Sequence, residues 1–310
     1  MKRRSFMSHL FASGAGLAMS GGVRAECDKV KPTFVFVHGA WHGGWCWSEV
    51  IRLLSQQGYT GITLDLPGHG LRAEFPSAYT ATPQNTAGLS TEVSPLASIR
   101  LIEYRDHVLG VIRGLVENGT GPVILVGHSL GGVTLNAVAE AQPALIRRLV
   151  YLTAFVPVAK PTVLDYLSQP NFVASQLPAL FFGNPASLGA ARINPNSPDP
   201  TYIASMRQAL YLDVQDSVVA AAMNMLTPDE PLHGLSDPAT VSVGHWGSVP
   251  RSFIRCLNDH AIPLAGQDQM IAEGNELTPH NRFTVKTLDS SHSAFLAHPG
   301  DVTKALLDML

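Results

Sequence analysis

Three residue types stand along this chain in an order that could carry out acyl transfer: a serine in a glycine-flanked turn, then an aspartate, then a histidine. The serine is Ser129, in Gly127-His128-Ser129-Leu130-Gly131. A serine hydroxyl is a weak nucleophile until a base takes its proton, and the base needs a third group to orient it. For a serine on a strand-to-helix elbow, the acid follows along the chain and the histidine comes last. His292 lies in a loop after the last strand-like run and fits that place. Its rival His298 is followed by Pro299 and sits nearer the final helix. Asp259 follows the strand-like run ending Arg255-Cys256-Leu257 and fits as the acid. Asp268 falls in a helical stretch, and Asp289 is too near His292 to reach around its ring. Charge that develops on the attacked carbonyl oxygen needs donors aimed at it beforehand. The backbone N–H of Leu130, next after the serine, is one candidate, and that of Ala40, in His38-Gly39-Ala40, is the other.

Those residues need elements to hold them. Pro122-Val123-Ile124-Leu125-Val126 reads as a buried strand, and 132–140 as a helix, so Ser129 would sit in a strand–elbow–helix unit. The turn is tight enough to demand glycine on both sides, and it holds the serine in a strained conformation that lifts the hydroxyl out of the sheet. Further strands are expected at 33–37, 61–65, 149–155, 252–256 and 283–288, and helices at 48–57, 99–116 and 302–310. Strands alternating with helices imply an α/β fold whose mostly parallel central sheet is covered on both faces. Residues 157–235 are short helical pieces broken by prolines, and read as a lid inserted over the carboxyl edge of the sheet. Residues 71–98 form a long polar stretch, and loops of that length are functional or disordered.

With 310 residues, 45% of them hydrophobic, the chain suits one large domain, 26–310, behind a leader. The leader is 1–25: Lys2-Arg3-Arg4, a short apolar stretch diluted by glycine, and the small-residue site Val23-Arg24-Ala25. Arg3-Arg4-Ser5-Phe6-Met7 is of the twin-arginine type, which points to export and to a periplasmic or secreted protein. A net charge of −3 gives no basic field for nucleic acid, and no later stretch is long and apolar enough for a stable membrane span. Cys46 and Cys256 read as inert buried thiols, with Cys27 left over. His38 and His42 are four apart, a spacing that converges on a metal only within a helix, and theirs is a glycine-rich loop. Neither a metal nor an organic cofactor is implied.

Assembled, these residues resemble the α/β-hydrolase superfamily, and within it the branch of plant methylesterases and hydroxynitrile lyases with their bacterial esterase relatives. The resemblance rests on FVHGAWHGGWCW at 36–47, DLPGHG at 65–70, GHSLGG at 127–132, DHAIP at 259–263 with Gln267 and Met270, and HSAFL from 292. It implies Ser129, Asp259 and His292 as the triad, and Ala40 and Leu130 as oxyanion donors. The lyases of the branch carry a threonine where this chain has Gly39, and a lysine where it has Ser293. The resemblance therefore implies ester hydrolysis rather than cyanide release.

The expectation is a serine esterase for small to medium, hydrophobic small-molecule esters. Trp41, His128, Phe181 and Phe182 are the candidate substrate contacts. Two other readings share the sequence: the same fold acting on a lactone, an amide or a carbon–carbon bond, and a ligand-binding sensor with a vestigial triad.

Overall fold

Residues 34–37 and 123–129 are buried at every position, as befits strands inside a parallel sheet covered on both faces. The computed structural model describes residues 31–310 and contains that sheet. The expected leader at 1–25, and Cys27, lie outside the described residues. Eight strands follow in chain order: β1 (Phe34–Val37), β2 (Gly61–Thr63), β3 (Val123–Ser129), β4 (Ile146–Ala154), β5 (Ala190–Arg192), β6 (Asp229–Pro231), β7 (Arg251–Cys256) and β8 (Thr284–Leu288). Six of them form the central sheet in the order β2-β1-β3-β4-β7-β8, every neighbouring pair parallel.

The two-residue alternation of a strand splits the core into two layers. Val35, Val37, Leu125, Leu149 and Tyr151 face the helices Leu101–Glu117 and Gly131–Ala141. Phe34, Phe36, Ile124, Val126 and Val150 face the helices Ser48–Gln56 and Pro299–Leu307. Leu101–Glu117 buries Leu101, Tyr104, Val108, Leu109 and Ile112, the spacing of a helix with one apolar stripe. No helix among the described residues is long and apolar enough to cross a membrane.

From β1 the chain first lays β2 on one side and then β3 on the other. The loops leaving β1 and β3 therefore diverge, and they open a crevice at the carboxyl ends of those strands. Above that edge lie the pieces between β4 and β7, here called the cap, including the short antiparallel pair β5–β6. This pair escapes a reading of the sequence, because Ala190-Ala191-Arg192 and Asp229-Glu230-Pro231 hold no β-branched or aromatic residue. A fully buried ion pair holds it instead, with Arg192 Nε and Nη2 on the Asp229 carboxylate at 2.5 and 2.7 Å.

The same guanidinium reaches the 71–98 stretch. Arg192 Nη1 donates to the carbonyls of Leu89 and Glu92 at 2.6 and 2.8 Å. Ser94 N–H donates to the Leu188 carbonyl at 2.8 Å. That stretch holds the short helices Ser77–Thr80 and Thr86–Leu89 and is fastened to the cap. Cys46 and Cys256 are free and buried, and burial pushes both thiols well above their ordinary range.

Candidate active site

β3 runs straight into its elbow. Ser129 ends it at φ 52°, in the left-handed region that a non-glycine residue enters only when its surroundings impose it. Those surroundings are backbone. A Cβ on Gly131 would come within 2.7 Å of the His38 carbonyl, and one on Gly132 within 2.1 Å of the Phe155 carbonyl. The neighbouring loops thus press on the turn from both sides. Phe155 N–H donates to the Ser129 carbonyl at 3.0 Å and ties the elbow to the end of β4.

The loop after β7 supplies Asp259, and the loop after β8 supplies His292. Both are almost fully buried. Asp259 Oδ1 accepts the backbone N–H groups of Ala261 and Ile262 at 2.7 and 2.8 Å. Its Oδ2 lies 2.7 Å from His292 Nδ1. The His292 backbone is held as well, because His128 Nε2–H donates to its carbonyl at 3.0 Å. Next to it, Ser291 N–H donates to Asp213 of the cap at 2.9 Å. The rivals lie elsewhere: His298 pairs with Asp213, Asp268 with Arg255, and Asp289 with Asn258, all toward the surface.

Thr153 is the member of this cluster that sequence reasoning misses. The β3–β4 register pairs His128 with Leu152 and Ser129 with Ala154, so Thr153 is the extra residue of a bulge. It sits at φ 34° and is fully buried. Its hydroxyl donates to Asp259 Oδ2, the oxygen that also faces His292. Bulges re-aim side chains beside active sites, and nothing in the local sequence marks this one.

Beside Ser129 lies a narrow apolar pocket whose walls include Ala40, Trp41, Leu130, Phe155, Leu177 and Phe181. The free space in it is about 20 Å³, room for about one water molecule. Trp41 and Phe181 line it, while His128 and Phe182, the other candidate substrate contacts, do not. His128 is packed behind the site against His292 and Phe295, ring centres 4.5 and 4.7 Å away. Phe182 turns to Tyr202, and its N–H donates to the Arg192 carbonyl at the end of β5. Consecutive residues in extended backbone point opposite ways, so Phe181 and Phe182 could not both face the pocket. Of the candidate oxyanion amides, neither Ala40 N–H nor Leu130 N–H is taken by another group among the described residues.

The loop histidines are structural. His42 Nδ1–H donates to the Ala40 carbonyl at 2.8 Å, and its Nε2 accepts the Tyr211 hydroxyl at 2.8 Å. His38 Nε2 accepts Leu66 N–H at 2.9 Å, and its Nδ1–H donates to the Gly39 carbonyl at 2.8 Å. Neither ring has a nitrogen left for a metal. Burial pushes His42 down to about 4, with the Ala40 carbonyl opposing, and it also holds His38 and His128 well below their ordinary value.

These three rings must gain protons when the chain unfolds below about pH 6.5. The unfolded state then binds more protons, so stability rises with pH in this range and falls on acidification. From pH 6.5 down to 4, His42 by itself costs roughly 3 kcal/mol. Urea midpoints measured across this range should fall steeply, and His42→Gln should remove part of the slope. Flat midpoints would refute the neutral-histidine assignment.

Known proteins place the fold. The chain is 26% identical over 294 residues to a putative chloroplastic methylesterase 13 of Arabidopsis thaliana, an alignment covering 93% of this chain and 59% of that one. The chain thus spans well under two thirds of that relative's length. It is 34% identical over 150 residues to a carbendazim hydrolyzing esterase of a Nocardioides species, covering 48% of this chain and 52% of the other. Its structure resembles a pyrethroid hydrolase from Sphingobium faniae, with TM-score 0.69, 22% identity, and 89% and 96% of the two chains covered. The model of the alpha/beta hydrolase family matches residues 34–305, and the chain belongs to that family.

Proposed function

We propose that this protein is a serine hydrolase that cleaves uncharged carboxylic esters carrying a small apolar group. The observation that carries the reading is the buried Asp259–His292 pair at 2.7 Å, whose histidine carbonyl is held by His128, the residue before the strained serine of the elbow. Relatives named as methylesterases and as an esterase support the reaction class.

In this reading Ser129 Oγ attacks the ester carbon while its proton passes to His292 Nε2. Asp259 holds the proton on Nδ1, which fixes the tautomer and stabilises the imidazolium that forms. Thr153 and the amides of Ala261 and Ile262 keep that carboxylate aimed. The Ala40 and Leu130 amides, free of other partners, receive the oxyanion. His292 returns its proton to the leaving alcohol, and water then clears the acyl-enzyme by the same steps.

The pocket supports the substrate class. No charged side chain lines it, and its walls are apolar and narrow. Gly39 supports hydrolysis over cyanide chemistry: a Cβ there would meet Ser129 Cβ at 2.7 Å, so the threonine of the lyases has no room.

The test is hydrolysis of p-nitrophenyl acetate, butyrate and octanoate. Forcing extra methylenes into a packed pocket costs about 1–3 kcal/mol, so kcat/KM should fall at least about fivefold from butyrate to octanoate. Turnover of none of these esters would overturn the reading, and preference for octanoate would overturn its size limit.

A further inference from the structure

Trp41 follows Ala40 in the oxyanion loop, and the cap grips every polar group it has. Trp41 sits at φ 62°, a conformation its bulky side chain rarely takes unaided. Its N–H donates to Glu230 Oε2 at 3.2 Å. Its carbonyl accepts Thr227 N–H at 2.9 Å and the Thr227 hydroxyl at 3.2 Å. Its indole N–H donates to the Ala191 carbonyl at 2.7 Å. Thr227, Glu230 and Ala191 lie on or beside the β5–β6 pair.

The peptide joining Ala40 to Trp41 is therefore held at both ends. His42 donates to its carbonyl, and Glu230 accepts from its N–H. With that plane fixed, the Ala40 backbone cannot turn freely, and this restrains its own N–H together with the bonds that His38 Nδ1–H and the His42 N–H make to the Gly39 carbonyl of the neighbouring peptide.

Glu230 is 1% exposed, and its two oxygens accept from three donors. Besides Trp41 N–H these are His69 Nε2 at 2.9 Å and the Tyr104 hydroxyl at 2.9 Å. An ionised carboxylate has acceptors for all of them at once. His69 supplies the counter-charge, since its other nitrogen faces the Pro67 carbonyl at 3.2 Å. The cap thus carries a charge into the core and spends one of its lone pairs on a single backbone amide beside the nucleophile.

We propose that Glu230 is a positioning residue for the oxyanion site. Through Trp41 it aims the Ala40 amide, and it makes transition-state stabilisation depend on the cap pair being seated. The inference rests on the hydrolase reading above, with Ala40 as an oxyanion donor.

The test uses the full chain with Glu230→Gln, Glu230→Ala and Tyr104→Phe. The readouts are kcat and KM on p-nitrophenyl acetate, and inhibition by a trifluoromethyl ketone beside its methyl ketone analogue. The fluorinated ketone adds Ser129 Oγ to its carbonyl carbon. The serine proton moves to His292, and the ketone oxygen becomes an oxyanion held by the donors. The methyl ketone binds without that charge.

Losing one oxyanion donor costs about 10²–10³ in kcat, which sets the scale for Glu230→Ala. KM and methyl ketone affinity should stay within about threefold, while trifluoromethyl ketone affinity falls in parallel with kcat. Glu230→Gln should fall between, because one amide oxygen cannot serve all three donors. Tyr104→Phe removes a donor of the same network without touching Trp41, and should stay within about threefold of wild type.

Equal losses in Tyr104→Phe and Glu230→Gln would overturn the proposal, as would a kcat loss without loss of trifluoromethyl ketone affinity. Should Glu230→Ala fail to fold, Glu230→Gln carries the test. If the wild-type protein turns over no ester, the hydrolase reading fails. The trifluoromethyl ketone affinities of wild type and Glu230→Gln still decide this one.

Discussion

Ser129→Ala should lower ester turnover by roughly 10⁶-fold, the loss expected when the nucleophile of a triad is removed. The expectation is this large because the site holds no understudy. The Thr153 hydroxyl is committed to Asp259, and the Ser291 hydroxyl to Asp213. The substitution keeps the Cβ and the positive φ of the elbow, so thermal stability should change little. Steady-state hydrolysis of p-nitrophenyl acetate, with wild-type and mutant protein purified in parallel, checks the result. Turnover within about tenfold of wild type would remove Ser129 from the mechanism altogether.

Asp259→Asn should lower kcat by about 10⁴-fold with the fold intact. The reason lies in which way the new amide must turn. The N–H groups of Ala261 and Ile262 both need an acceptor, and they find it in Oδ1 at 2.7 and 2.8 Å. Asparagine can serve them only by placing its oxygen there. Its NH₂ then takes the place of Oδ2 and faces His292 Nδ1. A donor at that point drives the histidine proton to Nε2, the nitrogen that must receive the proton of Ser129. The histidine stays in place but holds the wrong tautomer. The Thr153 hydroxyl can rotate to accept from the new NH₂, so no buried group is stranded and the variant should fold. Measured kcat with an unchanged unfolding midpoint tests this. Retention of more than about a tenth of wild-type kcat would show that the carboxylate does not set the tautomer.

Much of the architecture was legible because it is written locally. The strands expected at 33–37, 252–256 and 283–288 differ from those observed by a residue at most at either end. The run at 33–37 is apolar throughout after Thr33, alternating aromatic and β-branched residues, as a strand buried on both faces requires, and the other two are marked by β-branched and aromatic residues. The elbow was legible for a similar reason. Gly131 and Gly132 are demanded by backbone passing within 2.7 and 2.1 Å of where a Cβ would lie, so a steric requirement appears as a residue type. The β5–β6 pair was not legible. Its six residues carry no strand propensity, and a buried ion pair between positions far apart holds it together. The aromatic contacts divided on the same ground: composition marked Phe181 and Phe182 alike, and only the course of the backbone puts one of them in the pocket.

By itself the sequence determined the parallel sheet, the strained serine turn, and the loops in which an acid and a histidine would lie. Each of these follows from a short-range period or from a residue type with one steric use. The tertiary structure alone decided that Thr153 is bulged toward Asp259, 106 residues away, and that Glu230 holds Trp41 across 189. A threonine in a strand and a glutamate before a proline have many ordinary uses. Which use applies depends on what the fold brings opposite them, and no local pattern of the chain encodes that meeting.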